Sequence, residues 1–243
     1  MGLLRDGTTY WSVMAAHTLV RGPLAMWLAA RGDMVGVERQ QARWAQAQLQ
    51  AVRAQVHVSG AGHVQPRRPY VIIANHVSNF DPLVLFASVP TGMTYVAKME
   101  LLRVPVFGAI IRRTGAVFVD RGDTHKAVAA MQVAADRVRA GQSVLVFAEG
   151  TRSRDRQLQP FKKGGFLLAQ QAGVDILPVV LRGTADLLPY GARVPKSNGR
   201  VHVTILPPIP TAGTDRDALM ATVHAQMADV LNRPASERTN GSD

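Results

Sequence analysis

Cysteine is absent from all 243 residues. That single absence removes disulfide staples, thiolate zinc sites and a cysteine nucleophile, and it is compatible with a reducing compartment. Aromatic residues are scarce at 6%, and few of them interleave with the basic ones. No RNP sequence and no finger spacing occurs, so the pattern of a nucleic-acid reader is missing. A clean apolar run of about 20 residues, the length needed to span a bilayer, is also missing. The nearest candidate, residues 10–30, is interrupted by His17, Arg21, Gly22 and Pro23. Acidic residues are in deficit: 17 Asp+Glu against 28 Lys+Arg leave a formal charge of +11. Such a surface attracts polyanions, whether nucleic acid, anionic lipid or a phosphorylated substrate. A wholly disordered chain is argued against, because 47% hydrophobic residues against 19% charged ones supply enough apolar surface to offset chain entropy. The length suits one large domain or two small ones.

The aromatics that are present gather near the N-terminus as Tyr10, Trp11, Trp27 and Trp44. With the basic balance, that placement favours an anionic membrane surface over nucleic acid. Residues 10–30 predict two short helical pieces, broken near Gly22-Pro23 and lying in the membrane interface; the alternative is a helix that covers part of the core. Acidic Asp6 and the lack of a small-residue cleavage site argue against a signal peptide. Residues 38–53 predict an amphipathic helix carrying Trp44, Leu49 and Val52. Residues 1–55 are thus expected to form a helical, membrane-associating segment, 56–233 an α/β domain, and the polar stretch 234–243 a disordered tail.

From residue 56 short apolar runs alternate with helical ones. Strands are expected at 70–74, 94–97, 116–119, 143–148, 176–181 and 201–206, and helices at 82–89, 123–140, 162–172 and 214–232. Several strands are continuously apolar, as expected when helices cover both faces of a sheet. The fold class is α/β, a mostly parallel sheet flanked by helices.

Four strand ends carry the chemistry. Strand 70–74 runs into Asn75-His76-Val77-Ser78-Asn79-Phe80-Asp81-Pro82, which puts His76 at the carboxyl edge of the sheet. Asp81-Pro82 reads as N-cap and N1 of the next helix. A carboxylate bonded to an imidazole fixes its tautomer and stabilises its cation, equipping the other nitrogen to take a proton. Without a Gly-x-Ser-x-Gly elbow, that proton is expected from a substrate hydroxyl, and no ligand spacing suggests a metal. The pattern predicts the Asp81 carboxylate within hydrogen-bond or one-water reach of a His76 ring nitrogen. The plainer reading, Asp81 as a helix cap and His76 as a satisfied loop histidine, stays open for so short a motif.

The second strand end is Phe147-Ala148-Glu149-Gly150-Thr151-Arg152-Ser153, followed by Lys162, Lys163 and Gly164 at a helix start. A glycine, backbone donors, hydroxyls and a guanidinium suit a phosphate monoester; a solvated basic loop that includes Arg154 and Arg156 fits equally well. The third is Gly115 through Arg121, ending in Asp120-Arg121, which can be an internal ion pair or face the same pocket. Lys98 follows strand 94–97. Convergence of Lys98, Arg121 and Arg152 predicts an anionic substrate.

Taken in order over residues 70–182, these segments resemble the glycerolipid acyltransferase family typified by lysophosphatidate acyltransferases. His76 with Asp81 resembles its His-x4-Asp motif, Gly115–Arg121 its second block, Phe147–Ser153 its Glu-Gly-Thr-Arg block and Ile176-Leu177-Pro178-Val179 its proline block. The resemblance implies a membrane-associated enzyme on the cytoplasmic face that moves a fatty acyl group from acyl-CoA or acyl carrier protein to a lysophospholipid hydroxyl, in phospholipid biosynthesis. It implies His76 as base and Asp81 as its orienting partner. Glu149, Gly150, Thr151 and Arg152 would shape the acceptor site, with Arg152, Arg121 and Lys98 on phosphate. Glu149 is equally compatible with tying its loop to a buried cation. The acyl carrier is a cosubstrate; neither a metal nor a bound cofactor is expected. Glycerol-3-phosphate, another lysophospholipid or another amphiphile are alternative acceptors, and a non-catalytic basic lipid-surface protein is the alternative of another class.

Overall fold

The computed structural model describes residues 2–120 and 122–233, with side chains for all but residues 2–6 and Thr124. Arg121 and the tail 234–243 lie outside the described residues. The apolar runs form a seven-stranded sheet of β1 (Gln55–Ser59), β2 (Val71–Ala74), β3 (Met93–Lys98), β4 (Val117–Val119), β5 (Ser143–Phe147), β6 (Ile176–Arg182) and β7 (Arg200–Ile205). Their spatial order is β1-β7-β6-β2-β5-β3-β4. Every neighbouring pair is parallel except β6 with β7.

Strand β2 lies between β5 and β6, with Val71 opposite both Val144 and Ile176. Its alternate residues feed two cores. Ile72 and Ala74 pack with Leu49, Phe80 and Leu83 on one face, and Val71 and Ile73 with Ala134, Phe166 and Val223 on the other. A strand covered on both sides has polar residues only at its ends, here Ser143 of β5 and Arg182 of β6, which is why β2, β5 and β6 otherwise read as apolar runs.

One face is covered by α1 (Gly2–Ala30), α2 (Met34–Ala51) and α3 (Asp81–Ser88), the other by α5 (Thr124–Arg139), α6 (Gly164–Ala172) and α8 (Arg216–Asn232); α4 (Phe107–Arg113) packs against α1, and the short α7 (Thr184–Leu187) follows β6. The crossover after β2 therefore leaves toward one face and the crossover after neighbouring β5 toward the other. Diverging loops at adjacent strand ends open a crevice at the carboxyl edge, the usual place for an α/β site.

The N-terminal helix departs from expectation: α1 is continuous through Pro23. Proline forfeits one backbone hydrogen bond there, but packing holds the turn. Gly22 lies against α4 so closely that a Cβ would sit 2.3 Å from Ile110 Cδ1. The polar interruptions bind α1 to itself and to α2, with Arg21 donating to His17 and Gln40 and Trp44 donating to Thr18. Tyr10 is buried and stacks on Phe80 at 5.6 Å, whereas Trp11, Leu19, Val20, Leu24 and Trp27 are exposed. No described helix is long and apolar enough to cross a membrane.

Strand β1 and helix α4 were not anticipated. β1 is an edge strand with only Val56 and Val58 apolar, and it exists because β7 pairs with it, Gln55 opposite Arg200 and Ser59 opposite Thr204.

Candidate active site

Asn75 is the first residue past β2, and its side chain does what a backbone would have done. Its amide accepts from Leu181 N–H at 2.7 Å and donates to Leu181 C=O at 2.9 Å. This buried clamp extends the β2–β6 ladder and fixes where the loop begins. Next, the His76 backbone N–H donates to Glu149 Oε1 at 2.6 Å, and its carbonyl accepts from Ser153 N–H at 2.7 Å. The loops after β2 and β5 are thereby joined through one peptide unit on each side of His76.

The His76 ring stacks on Phe147, centroids 3.9 Å apart and planes 15° from parallel. Its Nδ1 lies 2.7 Å from Asp81 Oδ2, as the spacing predicted. A carboxylate only accepts, so Nδ1 carries the hydrogen and Nε2 keeps a lone pair. Asp81 is fully buried and the His76 side chain 15% exposed, an arrangement that leaves Nε2 as the nitrogen open to the crevice.

Asp81 does not cap α3. The same Oδ2 also accepts from the backbone N–H groups of Val77 at 2.7 Å and Ser78 at 2.8 Å, while Oδ1 is buried without a hydrogen-bond partner. The carboxylate turns back into its own loop and does not cap the helix that starts at Asp81. Its charge still lies at the positive end of that helix. Ser78 Oγ donates to Leu188 C=O at 2.8 Å and accepts from Phe80 N–H, tying the motif to the segment after α7.

Glu149 binds amides, not a cation. Besides His76 N–H it accepts from Gln159 N–H at 3.0 Å through Oε2. Burial pushes its carboxyl up to about 7, against the downward pull of those two donors; the charges of Asp81 and Asp155 add to the rise. Gly150 takes a left-handed φ of +75°, and Lys162 lies over it so closely that a Cβ would meet Lys162 Cε at 2.8 Å. Thr151 is exposed. The Arg152 guanidinium lies over the Tyr190 ring, 4.7 Å from its centroid. Lys163 is engaged by Asp217.

The strand ends that precede the other two expected cations stand apart. Strand order puts the end of β3 two strands from β2, about 10 Å, and the end of β4 three strands away, about 14 Å. Lys98 is half exposed and pairs with Glu100 at 3.0 Å. Asp120 caps its own turn through Gly122 N–H and lies 3.9 Å from Lys126; Arg121 is outside the described residues.

Sequence reading did not single out Asn75, Phe147 or Tyr190 for roles. Phe147 had a signal, an aromatic as the last strand residue before the loop, but the partners of Asn75 and Tyr190 come from distant segments. Nor could the sequence name the lining of the apolar cavity of about 350 Å³ beside the motif, bounded by Asn79, Pro82 and Leu83 and by Tyr95, Phe107 and Ile110.

A model of the family described as Acyltransferase matches residues 55–182. The 1-acyl-sn-glycerol-3-phosphate acyltransferase alpha of Mus musculus is 35% identical over 192 residues, covering 77% of this chain and 67% of that protein. The 1-acyl-sn-glycerol-3-phosphate acyltransferase of Saccharomyces cerevisiae is 37% identical over 173 residues, 68% of this chain and 56% of that one. Among solved structures, the 1-acyl-sn-glycerophosphate (LPA) acyltransferase from Thermotoga maritima superposes with a TM-score of 0.83 over 96% of this chain and 98% of its own, at 23% identity, a likeness of fold.

Proposed function

Because the chain belongs to the acyltransferase family, we propose that it transfers a fatty acyl group from acyl-CoA or acyl carrier protein to the sn-2 hydroxyl of 1-acylglycerol-3-phosphate, forming phosphatidic acid. The observation that carries this reading is the 2.7 Å His76–Asp81 hydrogen bond, held one peptide away from the Arg152 loop. The relatives named for 1-acyl-sn-glycerol-3-phosphate supply the acceptor.

His76 Nε2 takes the proton of the acceptor hydroxyl as its oxygen attacks the thioester carbonyl, and Asp81 stabilises the imidazolium that forms. The tetrahedral intermediate collapses, the C–S bond breaks, and the departing thiolate takes the proton back from His76. The atoms balance with the acyl carrier as a cosubstrate. Stacking on Phe147 and the two peptide bonds hold the imidazole in place before substrate arrives, so little ordering remains for the reactive complex. Arg152 offers a fork to the acceptor phosphate. The apolar cavity, reached from the motif at Asn79 and Pro82, accepts the acyl chain; its volume is within the usual range for ligand sites. The exposed Trp11, Leu19, Val20, Leu24 and Trp27 of α1 dock on an anionic membrane at its cytoplasmic face, where the +11 charge assists.

Purified protein, offered acyl-CoA and acyl carrier protein thioesters with a panel of lysophospholipids and glycerol-3-phosphate, tests the reading. We expect phosphatidic acid from lysophosphatidate and none from His76→Ala. Transfer that survives His76→Ala sinks the mechanism. Vesicle binding without transfer to any acceptor replaces the enzyme by a lipid-surface protein.

A further inference from the structure

Two guanidinium groups share one aromatic ring beside the site. Arg152 Cζ is 4.7 Å and Arg154 Cζ 5.0 Å from the centroid of Tyr190. Two nearby cations are neutralised, Arg156 by Asp186 at 2.7 Å and Lys163 by Asp217 at 2.9 Å, while Lys162 lies over Gly150 of the same loop. Among the described residues no carboxylate pairs with Arg152 or Arg154. Like charges two residues apart, both without a counter-ion, repel each other; the ring they share offsets part of that repulsion and an anion bound by both would offset more.

The local chain is built to hold this arrangement. Ser153 is buried and pinned by its backbone to His76 C=O, so Arg152 and Arg154 on either side of it point together toward the outside. Tyr190 sits at the second position of a turn closed by Ala192 N–H donating to Pro189 C=O, with Gly191 at φ +80° in the third position, where a left-handed residue is required. Just before it, Leu188 C=O receives the Ser78 hydroxyl of the motif loop. The platform is thus fastened to the motif loop, and that loop in turn to the one carrying Arg152 and Arg154.

We propose that Tyr190 is a positioning residue that stacks Arg152 and Arg154 into a two-pronged clamp, with Arg154 as a second phosphate ligand, and that this clamp selects a phosphate monoester headgroup over a phosphodiester. The proposal rests on the acceptor reading above. A guanidinium lying on a ring keeps its N–H edge free and loses little freedom when it binds. Two such edges match a monoester, which carries between one and two charges more than a neutral headgroup and offers three terminal oxygens. A diester has one charge and two terminal oxygens and can engage only one fork fully.

The test measures binding without an acyl donor, so it is independent of turnover. Dissociation constants are taken for lysophosphatidate and for lysophosphatidylglycerol in nonionic detergent micelles, with the wild-type chain, Tyr190→Phe, Tyr190→Ala and Arg154→Ala. Tyr190→Ala and Arg154→Ala should each weaken lysophosphatidate binding about tenfold and lysophosphatidylglycerol binding less than about twofold. Tyr190→Phe, which keeps the ring face, should match wild type on both lipids. The unchanged diester constant doubles as the folding control. Equal losses on both lipids, no loss in Tyr190→Ala, or a wild type that does not prefer the monoester each overturn the proposal. If the binding pattern is as stated and the wild-type chain transfers no acyl group, the clamp stands and the acyltransferase reading falls.

Discussion

Replacing Asp81 by asparagine probes the site more finely than removing it, because one oxygen of that carboxylate does all the visible work. Oδ2 accepts from His76 Nδ1 and from the Val77 and Ser78 amides, and Oδ1 has no partner. An asparagine must therefore put its carbonyl oxygen at the Oδ2 position and its NH2 at the vacant one. The opposite orientation would set two N–H donors against backbone N–H groups. His76 keeps its Nδ1–H tautomer, and only the charge is lost. Unit charges about 4 Å apart at an effective dielectric of about 20 interact by about 4 kcal/mol. With about half a charge developed on the imidazole at the transition state, about 2 kcal/mol is lost, a fall of about thirtyfold in kcat. Where the same exchange flips the tautomer, the loss reaches about 10⁴. The buried NH2 without an acceptor lowers folding stability by about 1–3 kcal/mol. The assay is thiol release from acyl-CoA with saturating lysophosphatidate in mixed micelles, beside urea unfolding of the same protein. A fall near 10⁴ would show that the backbone donors do not pin the oxygen, and an unchanged kcat would show that the carboxylate charge plays no part in the reaction; either result refutes the reasoning.

Glu149 gives a pH signature. Its carboxyl titrates near 4.5 in the unfolded chain and near 7 in the native one, so between those values the native state holds the proton more tightly. Stability contributed by this group then falls as pH rises from about 4.5 to about 7 and is level above that; Glu149→Gln should flatten that part of the urea-midpoint curve, and a curve of unaltered slope would assign the dependence to other groups. Asn75→Ala strips both partners from the Leu181 peptide and should cost about 2–4 kcal/mol in denaturant unfolding; a cost within about 0.5 kcal/mol, the size of an unremarkable surface change, would mean the clamp is dispensable. Trp27→Asp on exposed α1 should lower partition into anionic vesicles about tenfold, since burying one large apolar side chain contributes about 1.5–3 kcal/mol, with the far-UV spectrum unchanged; equal partition would move the membrane contact to another surface.

The legible part of this molecule is what short segments decide for themselves. Strands buried on both faces announce themselves as apolar runs, and β2 through β7 were each located with small errors at the ends. The contact of His76 with Asp81 was legible because the two belong to one loop and need no distant partner to meet. What stayed hidden was set by the order of the strands. Three strand ends with Lys98, Arg121 and Arg152 look equivalent in sequence, yet only the β5 loop is next to β2. The Asn75 clamp depends on Leu181, 106 residues away, and the Tyr190 platform on a turn that follows β6. β1 carries two valines among polar residues and has no signature of its own; it is a strand by virtue of its neighbour. The Pro23 break was anticipated from backbone chemistry alone, and the close contact of Gly22 with Ile110 outweighed it.

The pairing of β1 with β7 also sets a timetable for the newborn chain. Ser59 meets Thr204 across 145 residues, so at ribosomal rates of about 5–20 residues per second this edge waits roughly 7–30 s for its partner to be made. At the start of that interval, before β2 and α3 have been made, the apolar residues of α1 and α2 have no sheet to pack on. A nearby bilayer offers those side chains somewhere to go before the protein interior exists, and an aqueous expression system offers them only each other. Yield in cell-free synthesis should therefore respond to liposomes added during translation and much less to liposomes added after it.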